Sequence, residues 1–283
     1  MSTTVQEKSS NPLVSIIVPV YNAENYLERC LDSLVSQSLQ DIEIVCVNDG
    51  STDNSFNILN SYAAKYPCLN VFHQENKGPG AARNTALENA RGKYIVFCDA
   101  DDSFEPDICQ ECSSLMEKTN VDIIIFNVNI IEVDRIETIR RKSFGRGEHI
   151  PIVLPESEGM LNQSDFYRAA VNASIWGYFY TSELIKRFNI RFTNHRAGQD
   201  VLFFHSYSLC IKSGYALNKT FYNHYVRKGS VADTAYKNSP WLYRLRLLCK
   251  LIFNTILFAF SRKIYLKQLY IFYWMFFYFR SKF

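Results

Sequence analysis

Three carboxylates, Asp99, Asp101 and Asp102, close an apolar run in the stretch IVFCDADDSFEPD, residues 95–107. In an extended segment the side chains at i and i+2 point the same way, so Asp99 and Asp101 can act on one object. Left to themselves such charges repel each other, and the repulsion is costly beside a buried strand. A hard divalent cation resolves the conflict: Mg²⁺ or Mn²⁺ takes one or two carboxylates and completes its shell with phosphate oxygens. A solvated turn also favours Asp. The triplet alone leaves both readings open.

Two more polar clusters have a composition suited to the same work. In VNDGSTD, residues 47–53, Gly50 permits positive φ, and Ser51, Thr52 or Asp53 suits the cap of a following helix. That leaves Asp49 to face a crevice, where a carboxylate can accept the imide N–H of a base such as uracil. In NKGPGAARN, residues 76–84, Gly78 and Gly80 let the backbone approach a ligand, while Lys77 and Arg83 bring positive charge. No GxxxxGK[ST] loop occurs in the chain.

Positioning these clusters is the task of the apolar runs that precede them. Val14–Val20, Ile42–Val47, Leu69–His73, Tyr94–Cys98 and Val121–Val128 are short and β-branched, and each of the first four leads into helical spacing. Tyr26, Cys30, Leu34 and Gln37 share a face with Leu27 and Leu31; Phe56, Leu59, Tyr62 and Ala63 repeat the pattern. Strands without alternation are buried on both faces, which calls for helices on both sides and a mostly parallel α/β sheet. In such a sheet ligands bind outside the carboxyl ends of the strands, where Pro19-Val-Tyr21-Asn22, Asn48–Asp53 and Asp99–Asp102 fall. Residues 132–160, rich in charge, Gly and Pro, read as a connection over the surface. Two short helices flanking SIWGYFY, a helix over about 199–212 and an aromatic strand over about 215–226 complete the expected fold.

The 283 residues suffice for a large core without disulfide or metal staples. The eight cysteines lie mostly in apolar runs, and the polar segment Met1–Pro12 has no apolar core of a secretory signal, so reduced thiols and a cytoplasmic setting are expected. Cys109 and Cys112 have CxxC spacing, but no second pair follows at zinc spacing, which makes them helix-face residues. Nine of the 31 Lys and Arg fall at or after residue 234, with no Asp or Glu among them. In residues 241–283 these cations interleave with aromatics, and the longest uncharged runs, 251–260 and 268–279, are too short to span a bilayer. One reading is amphipathic helices lying on an anionic membrane surface, peripheral on the inner face of the cell membrane. The other is a helical pair packed on the catalytic domain or forming a homodimer contact. Nucleic acid is excluded as a partner, since the basic residues form no polar stripe.

VSIIVPVYNAENYLERCLDSLVSQS, IEIVCVNDGSTDNS and ENKGPGAARNTALENARGKYIVFCDADD occur in that order and at close spacing. Together they resemble the family 2 glycosyltransferases, inverting enzymes with the GT-A fold. The resemblance covers about residues 13–130, and less closely about 170–230. It implies a nucleotide-sugar-binding half over 13–130 and an acceptor-side half over 131–235, forming one domain over 1–235 with the helical tail 236–283 appended. By the same resemblance Pro19, Tyr21, Asn22 and Asp49 hold the base and its sugar, with Arg83 and Lys77 supporting them. Asp99-Ala-Asp101 is then the DxD element, with Asp99 near the ribose and Asp101 the main ligand of Mn²⁺ or Mg²⁺. Asp102 is then left to face the donor sugar or, on the acceptor side, the acceptor.

An acceptor hydroxyl attacking an anomeric carbon needs a group to take its proton. NHRAGQDVLFFHSYSL, residues 194–209, resembles the family segment in which an acidic pair starts a helix. Here the pair reads Gln199-Asp200, leaving Asp200 as the base, with a helix-capping carboxylate as the alternative. His224 matches a histidine that completes the metal or diphosphate site in some relatives; a packed, hydrogen-bonded ring is the other reading. Trp176 suits a wall on the acceptor side or a place in the core. The expected activity is transfer of a sugar from a nucleotide-sugar donor, UDP-linked, to a glycan or lipid-linked acceptor in surface polysaccharide or lipopolysaccharide synthesis. The rivals are a nucleotidyltransferase of sugar phosphates and a non-catalytic nucleotide-sugar-binding assembly module.

Overall fold

The computed structural model describes residues 11–132, 158–162, 175–193 and 199–226. They fall into two compact units. One holds the chain up to Asn120 together with Phe179–Ser182; the other runs from Val121 to Tyr178 and resumes at Glu183.

In the first unit β1 (Val14–Val20) lies between β2 (Ile42–Asp49) and β4 (Tyr94–Phe97), and β3 (Leu69–Gln74) flanks β2. All four strands run parallel, with Ile16 opposite Ile44 and Val96 in register. β8 (Tyr178–Thr181) adds antiparallel to β4, pairing Thr181 with Tyr94. Every residue of β2 and β4 is buried, as expected of strands covered on both faces. The sheet is mostly parallel, as its apolar runs foretold.

The helices follow their apolar spacing. α1 (Leu27–Val35) turns Leu27, Cys30, Leu31 and Leu34 inward, all fully buried. Gln37 follows them into the core as a strap: its amide donates to the Ser33 and Glu105 carbonyls and accepts from the Cys109 N–H. α2 (Ser55–Lys65) is less deeply seated than its spacing implied. Only Ser55 and Leu59 are buried, and Phe56 lies partly open against the His73 ring at 5.2 Å. It packs on β3, the last strand in its row, whose own side chains are half exposed. α3 (Pro79–Asn89) starts with proline at its first position, where the missing N–H has no intrahelical role. α4 (Ile108–Thr119) stops at Asn120, in the left-handed conformation that ends helices. Cys109 and Cys112 are fully buried on α4, where burial pushes the Cys109 thiol up. All the described cysteines are free, so the CxxC pair belongs to the core.

At the amino ends of the strands a buried carboxylate fastens the sheet. Glu43 accepts from the Ser15 hydroxyl at 2.7 Å, the Arg91 N–H at 2.6 Å and the Arg91 guanidinium at 2.7 and 3.0 Å. The Ser15 hydroxyl in turn accepts the Gly92 N–H. Removing one partner of such a group leaves the others without their bonds. Glu43→Ala is expected to lower unfolding free energy by about 3 kcal/mol, at the low end for a buried pair because Arg91 is partly in water. Urea titration should show a lower midpoint at an unchanged m-value.

The second unit is built on β6 (Ile123–Glu132), paired in parallel with the long β9 (Ser213–Val226). β7 (Gly159–Asn162) pairs antiparallel with β9. Extra β9 residues at Asn218–Lys219 and Phe221 break the register, and Asn127 and Asn129 donate to Asn218 and Asn223 across the pair. α5 (Ser182–Arg187) and α6 (Gln199–Ser208) complete the described elements. Phe203 stacks on Phe192 at 4.1 Å, Phe204 meets Tyr178 at 4.6 Å, and the Tyr207 hydroxyl donates to the Asp122 carbonyl.

The first unit closes at Asn120, and β6, which follows it, pairs with β9 of the second unit. Within SIWGYFY the last three residues belong to strand β8, between the places expected for the flanking helices, and β7 begins at Gly159, inside the stretch expected to be a surface connection. The tail 227–283, the connection 133–157 and residues 163–174 lie outside the described residues, as does the membrane or dimer contact expected of the tail. Among the described residues no helix is long and apolar enough to cross a membrane.

Candidate active site

Parallel neighbours end on the same side, so β1, β2 and β4 deliver their following loops to one crevice of the first unit. Two of those loops are latched together. The Asn22 side-chain oxygen accepts the Thr52 N–H at 2.8 Å, and the Asn22 N–H donates to the Ser51 hydroxyl. The Ala23 and Glu24 N–H groups donate to Ser55 and Asp53, while Glu24 accepts the Asn54 N–H. Asn22 makes these bonds at φ 47°, a conformation Asn tolerates. Ser51–Asp53 thus have the structural role expected of them, mostly as a clasp on the β1 loop. Pro19 is half-buried at the end of β1, and Tyr21 presents its ring half exposed.

Asp49, the last residue of β2, is only 2% exposed. It accepts the Lys77 and Gly78 N–H groups at 2.9 and 2.8 Å and the Gln74 amide at 2.7 Å. A carboxylate offers about four lone-pair positions, so three serve the protein itself. Gly50 makes the adjacent turn at φ +70°, and a Cβ there would stand 2.8 Å from the Asn76 backbone nitrogen. Glycine is what lets the 49–50 turn and the 76–78 loop touch. The Lys77 side chain is exposed.

The third loop holds the acidic triplet. The Asp102 N–H closes a turn on the Asp99 carbonyl at 3.0 Å. The buried Arg83 guanidinium, on α3, grips the Asp99 carboxylate at 2.7 Å. Arg29 of α1 reaches across to donate to the Asp101 carbonyl at 2.5 Å. Asp101 is half-buried. The Asp102 side chain is wholly buried. Beneath the turn the Cys30 and Cys98 sulfurs lie 3.8 Å apart, and burial, then the Cys30 contact, pushes the Cys98 thiol well up.

Arg29, Gln74 and Thr85 were not singled out in the sequence. Arg29 and Gln74 touch the site through contacts 72 and 25 residues away along the chain, and nothing local in the sequence marks them.

The second unit carries the other candidates. Asp200 is half-buried in the first turn of α6, where a carboxylate complements the helix dipole, and Gln199 beside it is buried. Trp176 and His224 meet: the indole stacks on the His224 ring at 5.1 Å and on Tyr222 at 5.1 Å. Tyr222 and His224 stand two apart on β9, hence on one face. Among the described residues no three His, Cys, Asp or Glu form a group able to hold a metal by themselves.

A 3-2-1-4 parallel sheet with carboxylates gathered at its carboxyl ends defines a doubly wound α/β architecture, and the solved structures place it in the GT-A type. The crystal structure of S. aureus TarS 1-349 in complex with UDP-GlcNAc aligns with a TM-score of 0.69 at 23% identity, covering 85% of this chain and 66% of that one. Residues 15–182 match the model of Glycosyl transferase family 2, and the chain belongs to that family. The uncharacterized glycosyltransferase EpsJ of Bacillus subtilis (strain 168) is 36% identical over 188 residues, 64% of this chain and 51% of EpsJ. Glycosyltransferase GlyA of Streptococcus pneumoniae serotype 4 is 33% identical over 235 residues, 82% of this chain and 33% of GlyA. The chain therefore spans about half or less of these two relatives' length.

Proposed function

We propose that this protein transfers a sugar from a nucleotide-sugar donor, UDP-linked, to a hydroxyl of a glycan or lipid-linked acceptor, with inversion at the anomeric carbon. The observation that carries the reading is the joining, in one crevice, of Asp49 on β2, the Arg83–Asp99 pair and the Asp101 turn. The TarS crystals with UDP and UDP-GlcNAc support a uridine donor, and the likeness to GlyA and to the poly(ribitol-phosphate) beta-glucosyltransferase of Bacillus spizizenii supports a surface-glycan setting.

In this reading Asp49 offers its remaining lone pair to the base, Pro19, Tyr21 and Asn22 frame the base and ribose, and Arg83 fixes Asp99 toward the ribose. Lys77 faces the phosphates. Carboxylate oxygens suit Mn²⁺ or Mg²⁺, whose shell the diphosphate oxygens would complete. Asp101 would hold it, with His224 as a second candidate ligand, and the ion would stabilise charge on the leaving diphosphate. A related fold, the mannosyltransferase PcManGT of Pyrobaculum calidifontis, was crystallised with GDP-Man and Mn²⁺. Asp200 takes the acceptor's proton, and Trp176, braced by its stack, offers an aromatic face to the acceptor. The cytoplasmic setting, with residues 241–283 on the inner face of the membrane, belongs to the same proposal, supported by the basic aromatic composition of that segment.

A panel of nucleotide sugars with Mn²⁺ and candidate lipid-linked and glycan acceptors tests the reading. Release of nucleoside diphosphate from one donor is expected. Release of pyrophosphate would make the protein a nucleotidyltransferase, and UDP binding without turnover on any donor would make it a binding module.

A further inference from the structure

Asp49 is held by a chain of side chains that starts two elements away. The Thr85 hydroxyl, on the second turn of α3, donates to the Gln74 amide oxygen at 2.6 Å. That fixes which way round the amide stands: its NH₂ must face Asp49, to which it donates at 2.7 Å. Turned over, the amide would set its oxygen against a carboxylate. Gln74 and Asp49 are also register partners at the ends of β3 and β2, so the bond crosses the shortest gap between the strands. The same Asp49 oxygen accepts the Lys77 N–H, and the other accepts the Gly78 N–H.

We infer that Thr85 and Gln74 are positioning residues for the nucleotide base: they lock the Asp49 carboxylate so that its remaining lone pair keeps one direction, suited to a base carrying an imide or amide N–H. The terminal torsion of Asp is broad and roughly two-fold, so a carboxylate with fewer partners samples several directions. Three donors from two segments, β3 and the 76–78 loop, remove that freedom before the ligand arrives, which lowers the ordering cost of binding. Gly78 contributes by its φ of +91°, which turns its N–H toward Asp49 ahead of Pro79. The chain Thr85–Gln74–Asp49 stays at the base end. Arg83, Asp99 and Asp101, which the proposed function gives to the ribose, diphosphate and metal, are bound through other atoms. Loosening Asp49 should therefore weaken recognition of the base without weakening recognition of a diphosphate.

This inference rests on the nucleotide-sugar reading, and the test separates the two. Thr85→Val removes the hydroxyl and keeps the shape, whereas Thr85→Ser keeps the hydroxyl. Calorimetry on the full chain with UDP plus Mn²⁺, and separately with inorganic pyrophosphate plus Mn²⁺, reads base and diphosphate recognition apart. Thr85→Val is expected to bind UDP about tenfold more weakly, the upper end of the scale for one lost hydrogen bond between neutral groups. Its pyrophosphate affinity should stay native, and Thr85→Ser should bind UDP as the native chain does. Gln74→Leu should repeat the Thr85→Val pattern. Native UDP affinity in Thr85→Val and Gln74→Leu would overturn the inference alone. Equal losses for UDP and pyrophosphate would also overturn it, making the chain a general support of the fold. A native protein that binds neither UDP nor GDP would overturn the nucleotide-sugar reading itself.

Discussion

Asp200→Asn is expected to bind UDP and to unfold as the native protein does, yet to transfer sugar about 10²–10⁴-fold more slowly. The substitution keeps shape and hydrogen-bonding capacity and removes the ability to take a proton at neutral pH. Asp200 lies in the first turn of α6, so losing its charge also forfeits a dipole interaction of about 0.3–1 kcal/mol. That is too small to mimic a loss of catalysis. If Asp200 acts only in the transition state, kcat and kcat/KM should fall together. Steady-state kinetics with the true acceptor decides: a near-native rate would reduce Asp200 to a carboxylate that suits a helix start.

Asp101→Ala should abolish the response of UDP binding to Mn²⁺. Losing a residue that only hydrogen-bonds to a metal's ligand costs about 10–100-fold, so losing the proposed direct ligand should cost at least the upper end of that range. The fold should survive. Asp101 is half-buried in a loop, and the Arg29 contact is to its backbone carbonyl, which alanine retains. Calorimetry with UDP, with and without Mn²⁺, checks this: a variant that still gains affinity from Mn²⁺ would take Asp101 out of the metal site.

Much of the first unit was legible in the sequence because its signals are local. A continuous β-branched run such as IEIVCVND has few fates other than a strand covered on both faces, and the polar residues that follow must then fall at one sheet edge. The i, i+3, i+4 spacing of α1 survived intact because it packs over the sheet. The same spacing in α2 was diluted because β3 is the last strand of its row. What could not be read was which polar atoms would meet. Asp49 and Asn22 were expected to face a ligand, and the structure spends most of their hydrogen-bonding capacity on neighbouring loops. The burial of Asp102 is likewise not marked by anything local in the sequence DADD. Arg29 shows the converse, a residue on the exposed side of α1 whose partner lies 72 positions on. In the second unit the stack of Trp176 on His224 joined two residues that had been considered separately. It depends on Tyr222 and His224 sharing one face of β9, which a strand prediction contains but does not display.

These findings order the site into support and contact. Glu24, Asn22 and Ser51–Ser55 fasten the first two loops, Thr85 and Gln74 fasten Asp49, and Arg83 and Arg29 fasten the acidic turn. A crevice braced this way before any ligand enters matches a reaction whose protein contribution is mostly orientation and electrostatics. The measurement that tests the account most directly is a crystal structure of the full chain with UDP and Mn²⁺, with the metal located by its anomalous signal. The account predicts the base beside Asp49, the ribose near Asp99 and the anomalous peak on the Asp101 carboxylate, at the carboxyl ends of β1, β2 and β4. UDP bound elsewhere, or Mn²⁺ held without Asp101, would contradict it.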